Sequence, residues 1–151
     1  MADEPTGFVW VEEGRVAGSG YPASRSQVEW LVDAGINSIL TLTVDPLPPR
    51  YTKGFDVVVS HVPMIDHAPP ALDGMAKAVE ILEGQLRNGR VVLVHCLAGE
   101  GRTGCAIAAY LIRTRNIGAE EALSILRKVK PEFVEPRQEQ AVRDFESSRN
   151  M

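Results

Sequence analysis

Cys96 and Arg102 stand six positions apart in the stretch VVLVHCLAGEGRTG, which runs from Val91 to Gly104. A thiolate is a strong nucleophile, and a guanidinium is a planar fork that pairs with two oxygens of a phosphate. Between them lie Leu97, Ala98, Gly99, Glu100 and Gly101. The two glycines permit tight turns, so the backbone N–H groups from Leu97 to Arg102 can converge on one oxyanion. Four apolar residues, Val91 to Val94, precede the pair of His95 and Cys96 and read as a short buried strand. After Gly104, CAIAAY opens an apolar helix. Strand, small-residue loop and helix N-terminus together make an anion cradle. The Gly-Lys-Ser/Thr ending of an ATP-binding loop is missing; a cysteine at the start and an arginine near the end take its place. A helix N-terminus beside an arginine is the setting that favours thiolate over thiol.

Two neighbours of the loop have readable roles. His95 is expected to hydrogen-bond loop carbonyls and fix the loop's shape. Thr103 either caps the following helix or reaches the sulfur with its hydroxyl. Cys105 lies nine residues past Cys96 inside the apolar helix. It reads as a buried small hydrophobe, with a redox partner for Cys96 as the other reading.

These residues need a scaffold, and the rest of the chain supplies its pattern. Phe8–Val11 and Arg15–Ala17 read as strands around the turn Glu13-Gly14. Ser24 and Gln27 have capping-box spacing, and a helix follows to about Ala34, with Val28, Leu31 and Val32 inward and Gly35 as its stop. Ile36–Leu42 alternates as a strand. The segment 44–53 holds Pro46, Pro48 and Pro49 and is expected to be loop. Phe55–Val62 is a further strand, followed by the proline-punctuated loop PMIDHAPPALDG, which carries Asp66 and His67. Leu72 to about Asn88 is a helix whose inner face is Leu72, Met75, Ala76, Val79, Leu82 and Leu86. A buried helix over Thr103–Arg115 comes next. An amphipathic helix over Ala119–Lys128 buries Ala122, Leu123, Leu126 and Val129. Pro131 breaks the chain, and a last helix runs from Gln138 to about Ser147. Strands alternating with helices predict an α/β fold, a mostly parallel central sheet flanked by helices on both faces. Ligands in such folds sit beyond the carboxyl ends of the strands. Asp66 and Cys96 both follow strands, so one sheet edge can bring them together.

The run His95-Cys-Leu-Ala-Gly-Glu-Gly-Arg-Thr103 resembles the HC-x2-G-x2-R-[ST] signature of the cysteine-dependent protein tyrosine phosphatase superfamily. The chain is similar in size to the compact atypical dual-specificity phosphatases and the small archaeal and bacterial tyrosine phosphatases. The resemblance also covers AGSGYPASRSQVEWLVDAGINSILTLT, VPMIDHAPP and KPEFVEPRQEQAV. It implies a protein tyrosine phosphatase-like fold in one domain over 1–151; the polar termini, the first ~6 and last ~4 residues, are expected to fray. It also implies hydrolysis of phosphotyrosine, with phosphoserine and phosphothreonine as further substrates, through a phosphocysteine. Cys96 would be the nucleophile and Arg102 the phosphate ligand. Asp66 would be the acid that protonates the leaving group and then the base that activates water. Thr103 would help the cysteine leave. Glu135 and Gln138 fall in a stretch resembling the one that orients the hydrolytic water or braces the loop. EPRQEQ reads one residue shorter than that stretch, so which of the two points inward stays open. Lipid-phosphate members of the superfamily tend to carry lysines inside the loop. Here Glu100 adds a negative charge, which disfavours phosphoinositide and RNA 5′-triphosphate substrates.

Composition agrees with a soluble single domain: 151 residues, 44% hydrophobic and 24% charged. A formal charge of −4 argues against nucleic acid or an anionic membrane as partner. Two cysteines make no disulfide framework, so a reducing, cytoplasmic setting is expected. The start MADEPTGF has no apolar run of the kind a signal peptide needs. The expected partner is a phosphorylated protein or peptide, with inhibition by phosphate-like oxyanions, no metal or other cofactor, and a monomeric state. Two rivals remain: a phosphate-binding pseudophosphatase, and a cysteine-loop arsenate reductase or sulfurtransferase. The second needs a working second thiol, for which Cys105 is the sole candidate.

Overall fold

The computed structural model describes residues 3–149. Its strands are β1 (Val9–Glu12), β2 (Val16–Ser19), β3 (Ser38–Thr41), β4 (Val58–His61) and β5 (Val92–His95). Its helices are α1 (Arg25–Asp33), α2 (Pro49–Thr52), α3 (Leu72–Arg87), α4 (Gly101–Arg115), α5 (Ala119–Val129) and α6 (Glu139–Ser148), with a single 3-10 turn at Pro136–Gln138 before α6. The sheet order is β1-β2-β5-β3-β4. Only β1 and β2 pair antiparallel; the other neighbours are parallel. The expected α/β architecture is what the chain forms.

Central β5 explains the layering. Its residues alternate between faces, as any strand's do. Val92 and Val94 join the larger core with Met75, Val79 and Leu82 of α3 and Cys105 to Ile112 of α4. Leu93 faces the smaller core with Val28 and Leu31 of α1, Ile39 and Leu47. Helix α4 is the structural axis: every residue from Gly101 to Ile112 is buried. Sequence CAIAAYLI is apolar all round, which suits a helix with neighbours on all sides. That packing fixes the helix that carries Arg102 and Thr103.

Five local expectations change. The proline-rich segment 44–53 contains α2, because Pro49 occupies the first helical turn, where a missing N–H costs nothing. Strand β2 continues through Gly18 and Ser19, which pair with Val94 and His95. Gly18 fits there because a Cβ would stand 3.0 Å from the Thr103 methyl. Helix α4 starts at Gly101 rather than Thr103. Leu72 and Val129, expected inside, lie exposed at the first and last residues of their helices, where little packs over them. The Ser24 cap forms, its hydroxyl accepting Gln27 N–H at 3.1 Å, but the Gln27 side chain reaches back to Ala23 N–H instead of Ser24.

Near the N-terminus, Thr6 C=O accepts from Gly20 N–H at 2.7 Å and ties that segment to the loop after β2. Of the roughly six first and four last residues expected to fray, Met1, Ala2, Asn150 and Met151 lie outside the described residues, Thr6 is hydrogen-bonded as above, and Ser148 closes α6. Among the described residues no helix is long and apolar enough to cross a membrane.

Candidate active site

Strand β5 delivers His95 and Cys96 to the carboxyl edge of the sheet, and α4 begins five residues beyond Cys96. The loop between them is held from outside. His95 Nδ1 lies 3.1 Å from Cys96 C=O, and its Nε2 lies 2.9 Å from Thr41 Oγ1. His95 is fully buried, and burial pushes its pKa down to about 4. The neutral ring then donates from Nδ1 to the loop carbonyl and accepts from Thr41. The hydrogen bond to a loop carbonyl is the contact expected of it.

The carbonyls of Leu97, Gly99 and Glu100 are also paired. Tyr21 N–H donates to Leu97 C=O at 2.9 Å. Lys130 Nζ donates to Gly99 C=O at 3.1 Å. Glu100 C=O accepts from Gly104 N–H at 3.0 Å and from Val134 N–H at 3.1 Å. In a planar trans peptide the C=O of one residue and the N–H of the next point opposite ways. The N–H groups of Leu97, Ala98, Glu100 and Gly101 therefore face away from these partners, toward the concave side. Those of residues 97–100 donate to no protein acceptor among the described residues. Gly99 sits at φ +78°, and a Cβ there would stand 2.4 Å from Ser19 C, so no other residue fits.

Arg102 and Thr103 occupy the first turn of α4. Thr103 Oγ1 donates to Cys96 Sγ at 3.1 Å, so of its two candidate roles the structure shows the contact with sulfur. Arg102 is 3% exposed. Its Nη1 donates to Met64 C=O at 3.0 Å, and its Nη2 lies 3.1 Å from Asp66 Oδ1. The strand edge thus brings the loops of Asp66 and Cys96 together. Arg102 Nε is the one buried side-chain nitrogen or oxygen without a partner among the described residues. Leaving such a group unsatisfied costs about 1–3 kcal/mol. An oxyanion in the cradle is the kind of acceptor that removes this cost.

The segment 135–138 braces both loops. Gln138 is fully buried: its Nε2 donates to Ala68 C=O at 3.2 Å and its Oε1 accepts from Glu135 N–H at 3.0 Å. Glu135 Oε2 lies 3.0 Å from His67 Nδ1, whose other nitrogen lies 3.5 Å from Asp66 Oδ2. Gly101 passes directly beneath; a Cβ there would be 2.6 Å from Gln138 Oε1. Both Gln138 and Glu135 therefore point toward the site, Gln138 to the Asp66 loop's backbone and Glu135 to His67. His67 itself has φ 65°, a left-handed conformation for which a bulky residue needs such support. Cys105 is fully buried one turn into α4, and burial pushes its pKa up to about 12. It is a thiol packed in the core, and both cysteines are free.

A cleft of about 310 Å³ opens beside the cradle, lined by Tyr21, Thr43, Val44, Asp45, Leu97 and Arg102. Tyr21, Asp45 and Lys130 were not legible as site residues. They come from separate segments, and only the fold collects them. A cavity of about 330 Å³ lined by Arg15, Glu83 and Tyr110 shares no residue with this site. No group of three or more metal-ligating side chains occurs among the described residues.

The sequence matches, over residues 5–143, the family model described as Swiss Army Knife protein, DSP-PTPase phosphatase domain. The chain belongs to this phosphatase-domain family. It is 36% identical over 115 residues to dual specificity protein phosphatase 12 of Mus musculus, covering 75% of this chain and 34% of that protein. It is 37% identical over 78 residues to tyrosine-protein phosphatase CDC14 of Candida albicans, covering 50% of this chain and 14% of that protein. The chain thus spans about a third or less of these curated relatives. The crystal structure of Tk-PTP in its active form superposes with a TM-score of 0.83 at 28% identity, over 93% of this chain and 96% of that one.

Proposed function

We propose that the chain is a metal-independent phosphomonoesterase that hydrolyses phosphotyrosine in proteins or peptides through a phosphocysteine. The observation that carries this is the placement of Arg102: buried, with Nε unpartnered, and shared between the cradle and Asp66. Cys96 attacks phosphorus as the thiolate, and the P–O bond to the leaving group breaks. Asp66 gives its proton to that departing oxygen. The transferring phosphoryl oxygens are held by Arg102 and by the N–H groups of Leu97, Ala98, Gly99, Glu100 and Gly101. Water then attacks the phosphocysteine. Asp66 takes its proton, and Thr103 donates to the departing sulfur. Gln138 and Glu135 hold the Asp66 loop over the cradle during both steps.

The cleft argues for an aryl ester. Tyr21, Val44 and Leu97 give it apolar walls next to Arg102, and Val44 and Leu97 are 58% and 60% exposed, free to cover a substrate ring. Asp45 in that cleft and Glu100 in the loop put carboxylates where a multiply charged lipid or nucleotide headgroup needs cations. Phosphate-like oxyanions such as tungstate are expected inhibitors. The deciding experiment quenches a turnover mixture in acid and reads the Cys96 peptide by mass spectrometry. One added phosphoryl group on Cys96 supports the mechanism; rapid turnover with no adduct in quench-flow samples overturns it. A pseudophosphatase would instead bind phosphopeptide tightly without turning it over.

A further inference from the structure

We infer that Lys130 is a positioning residue for the phosphate cradle, aiming the Glu100 N–H at the substrate by holding the Gly99 carbonyl outward. This rests on the cradle reading above and extends it to a residue outside the signature.

Lys130 closes α5 and is 8% exposed, unusual for a lysine. Its ammonium donates to Gly7 C=O at 2.7 Å and to Gly99 C=O at 3.1 Å. It also lies 5.0 Å from the centroid of the Phe133 ring. No carboxylate lies within salt-bridge distance of it among the described residues; Glu100 and Glu132 act on it only at longer range. The buried cation is therefore spent on two backbone carbonyls, and one of them belongs to the cradle.

Peptide planarity makes that choice consequential. With Gly99 C=O turned out to Lys130, the Glu100 N–H on the same peptide must turn inward. Gly99 sits in the left-handed region, where only a residue without a side chain is at ease, so its peptide orientation is set by backbone contacts and by Lys130. The Cys96, Leu97 and Glu100 carbonyls are held by His95 or by backbone N–H groups, whereas the Gly99 carbonyl depends on a side chain reaching in from the end of α5. The same ammonium fastens Gly7, which explains why the N-terminal segment lies against the back of the loop. A Cβ on Gly7 would stand 3.0 Å from Nζ.

The test is tungstate binding followed by titration calorimetry and by amide proton shifts in ¹⁵N-labelled protein. In the parent, saturating tungstate is expected to move the Ala98 and Glu100 amide protons downfield together. In Lys130→Met, which keeps the stem and loses the donors, tungstate is expected to bind about tenfold more weakly, the effect of one charge-assisted hydrogen bond. Its Glu100 shift should shrink while that of Ala98, held by Tyr21, persists. A folded Lys130→Met protein with parental affinity and an undiminished Glu100 shift overturns the inference. Should that variant not fold, the parent alone decides: a Glu100 amide unmoved by saturating tungstate contradicts the assigned aim. Failure of the parent to bind tungstate at all would overturn the cradle reading itself.

Discussion

Arg102 Nη2 and Asp66 Oδ1 lie 3.1 Å apart, joining a buried guanidinium on α4 to a carboxylate that is 42% exposed on a separate loop. The nitrogen that would take a phosphate oxygen thus already touches the proposed acid. A bound phosphate and Asp66 compete for the same donor, and a substrate that takes Arg102 releases Asp66 toward the leaving oxygen.

Asp66→Asn should separate these two effects. Loss of general acid catalysis costs roughly 10²–10⁴-fold in kcat. The loss should be large on phenyl phosphate, whose leaving group needs a proton, and small on p-nitrophenyl phosphate, whose leaving group does not. Tungstate affinity should hold or rise, because a competitor for Arg102 loses its charge. Steady-state kinetics on both esters check this; equal losses on the two would contradict the acid role.

Thr103→Val keeps the side chain's shape and removes the hydroxyl that donates to Cys96 Sγ at 3.1 Å. The account assigns that hydroxyl to the departure of sulfur, so phosphocysteine hydrolysis should slow by about tenfold, the worth of one such hydrogen bond. Stopped-flow traces with p-nitrophenyl phosphate should then show a burst followed by a slower steady rate. A slower burst with no accumulation would place Thr103 in the first step instead.

His95 makes stability depend on pH. Its folded pKa of about 4 lies below the ordinary 6.5, chiefly through burial. Between these values the unfolded chain binds a proton that the native state excludes. The stability it confers is complete above pH 6.5 and declines as pH falls toward 4, by up to about 3 kcal/mol. Urea unfolding across that range, in the parent and in His95→Asn, should show a steeper acid loss in the parent. Equal slopes would mean that the imidazole is not held neutral.

Cys105→Ala tests the rival sulfur and arsenate chemistries. Cys105 is buried in α4 with its pKa pushed up to about 12, so it should take no part in turnover. Phosphatase activity is expected within about twofold of the parent, because Cys105 is a buried free thiol that makes no hydrogen bond to the cradle and its loss changes only core packing. Abolished turnover in a folded variant would revive a second-thiol mechanism.

Much of this site was readable because its residues are contiguous. Cys96 through Thr103 share one loop, and small residues there have no other purpose than close approach; Gly99 and Gly101 bear this out against Ser19 and Gln138. The Asp66 loop was readable from its prolines and its place after a strand. Lys130 was not. Its position just past the end of α5, before Pro131, gives no sign that its ammonium crosses to Gly7 and Gly99. Equally hidden was the His67–Glu135 contact, made across 68 positions of sequence. Short elements were misjudged for a local reason: α2 needed Pro49 to be recognised as a helix start, and the end of β2 at Gly18 and Ser19 depends on pairing with β5.

The central claim is that Cys96 carries the phosphoryl group without a metal. The direct measurement is p-nitrophenyl phosphate hydrolysis in excess EDTA by the parent and by Cys96→Ser. The account predicts undiminished activity in the parent with EDTA and loss of at least about 10³-fold in the variant, as for removal of a covalent nucleophile. Activity retained by Cys96→Ser, or activity in the parent that vanishes with EDTA and returns with a divalent cation, would contradict it.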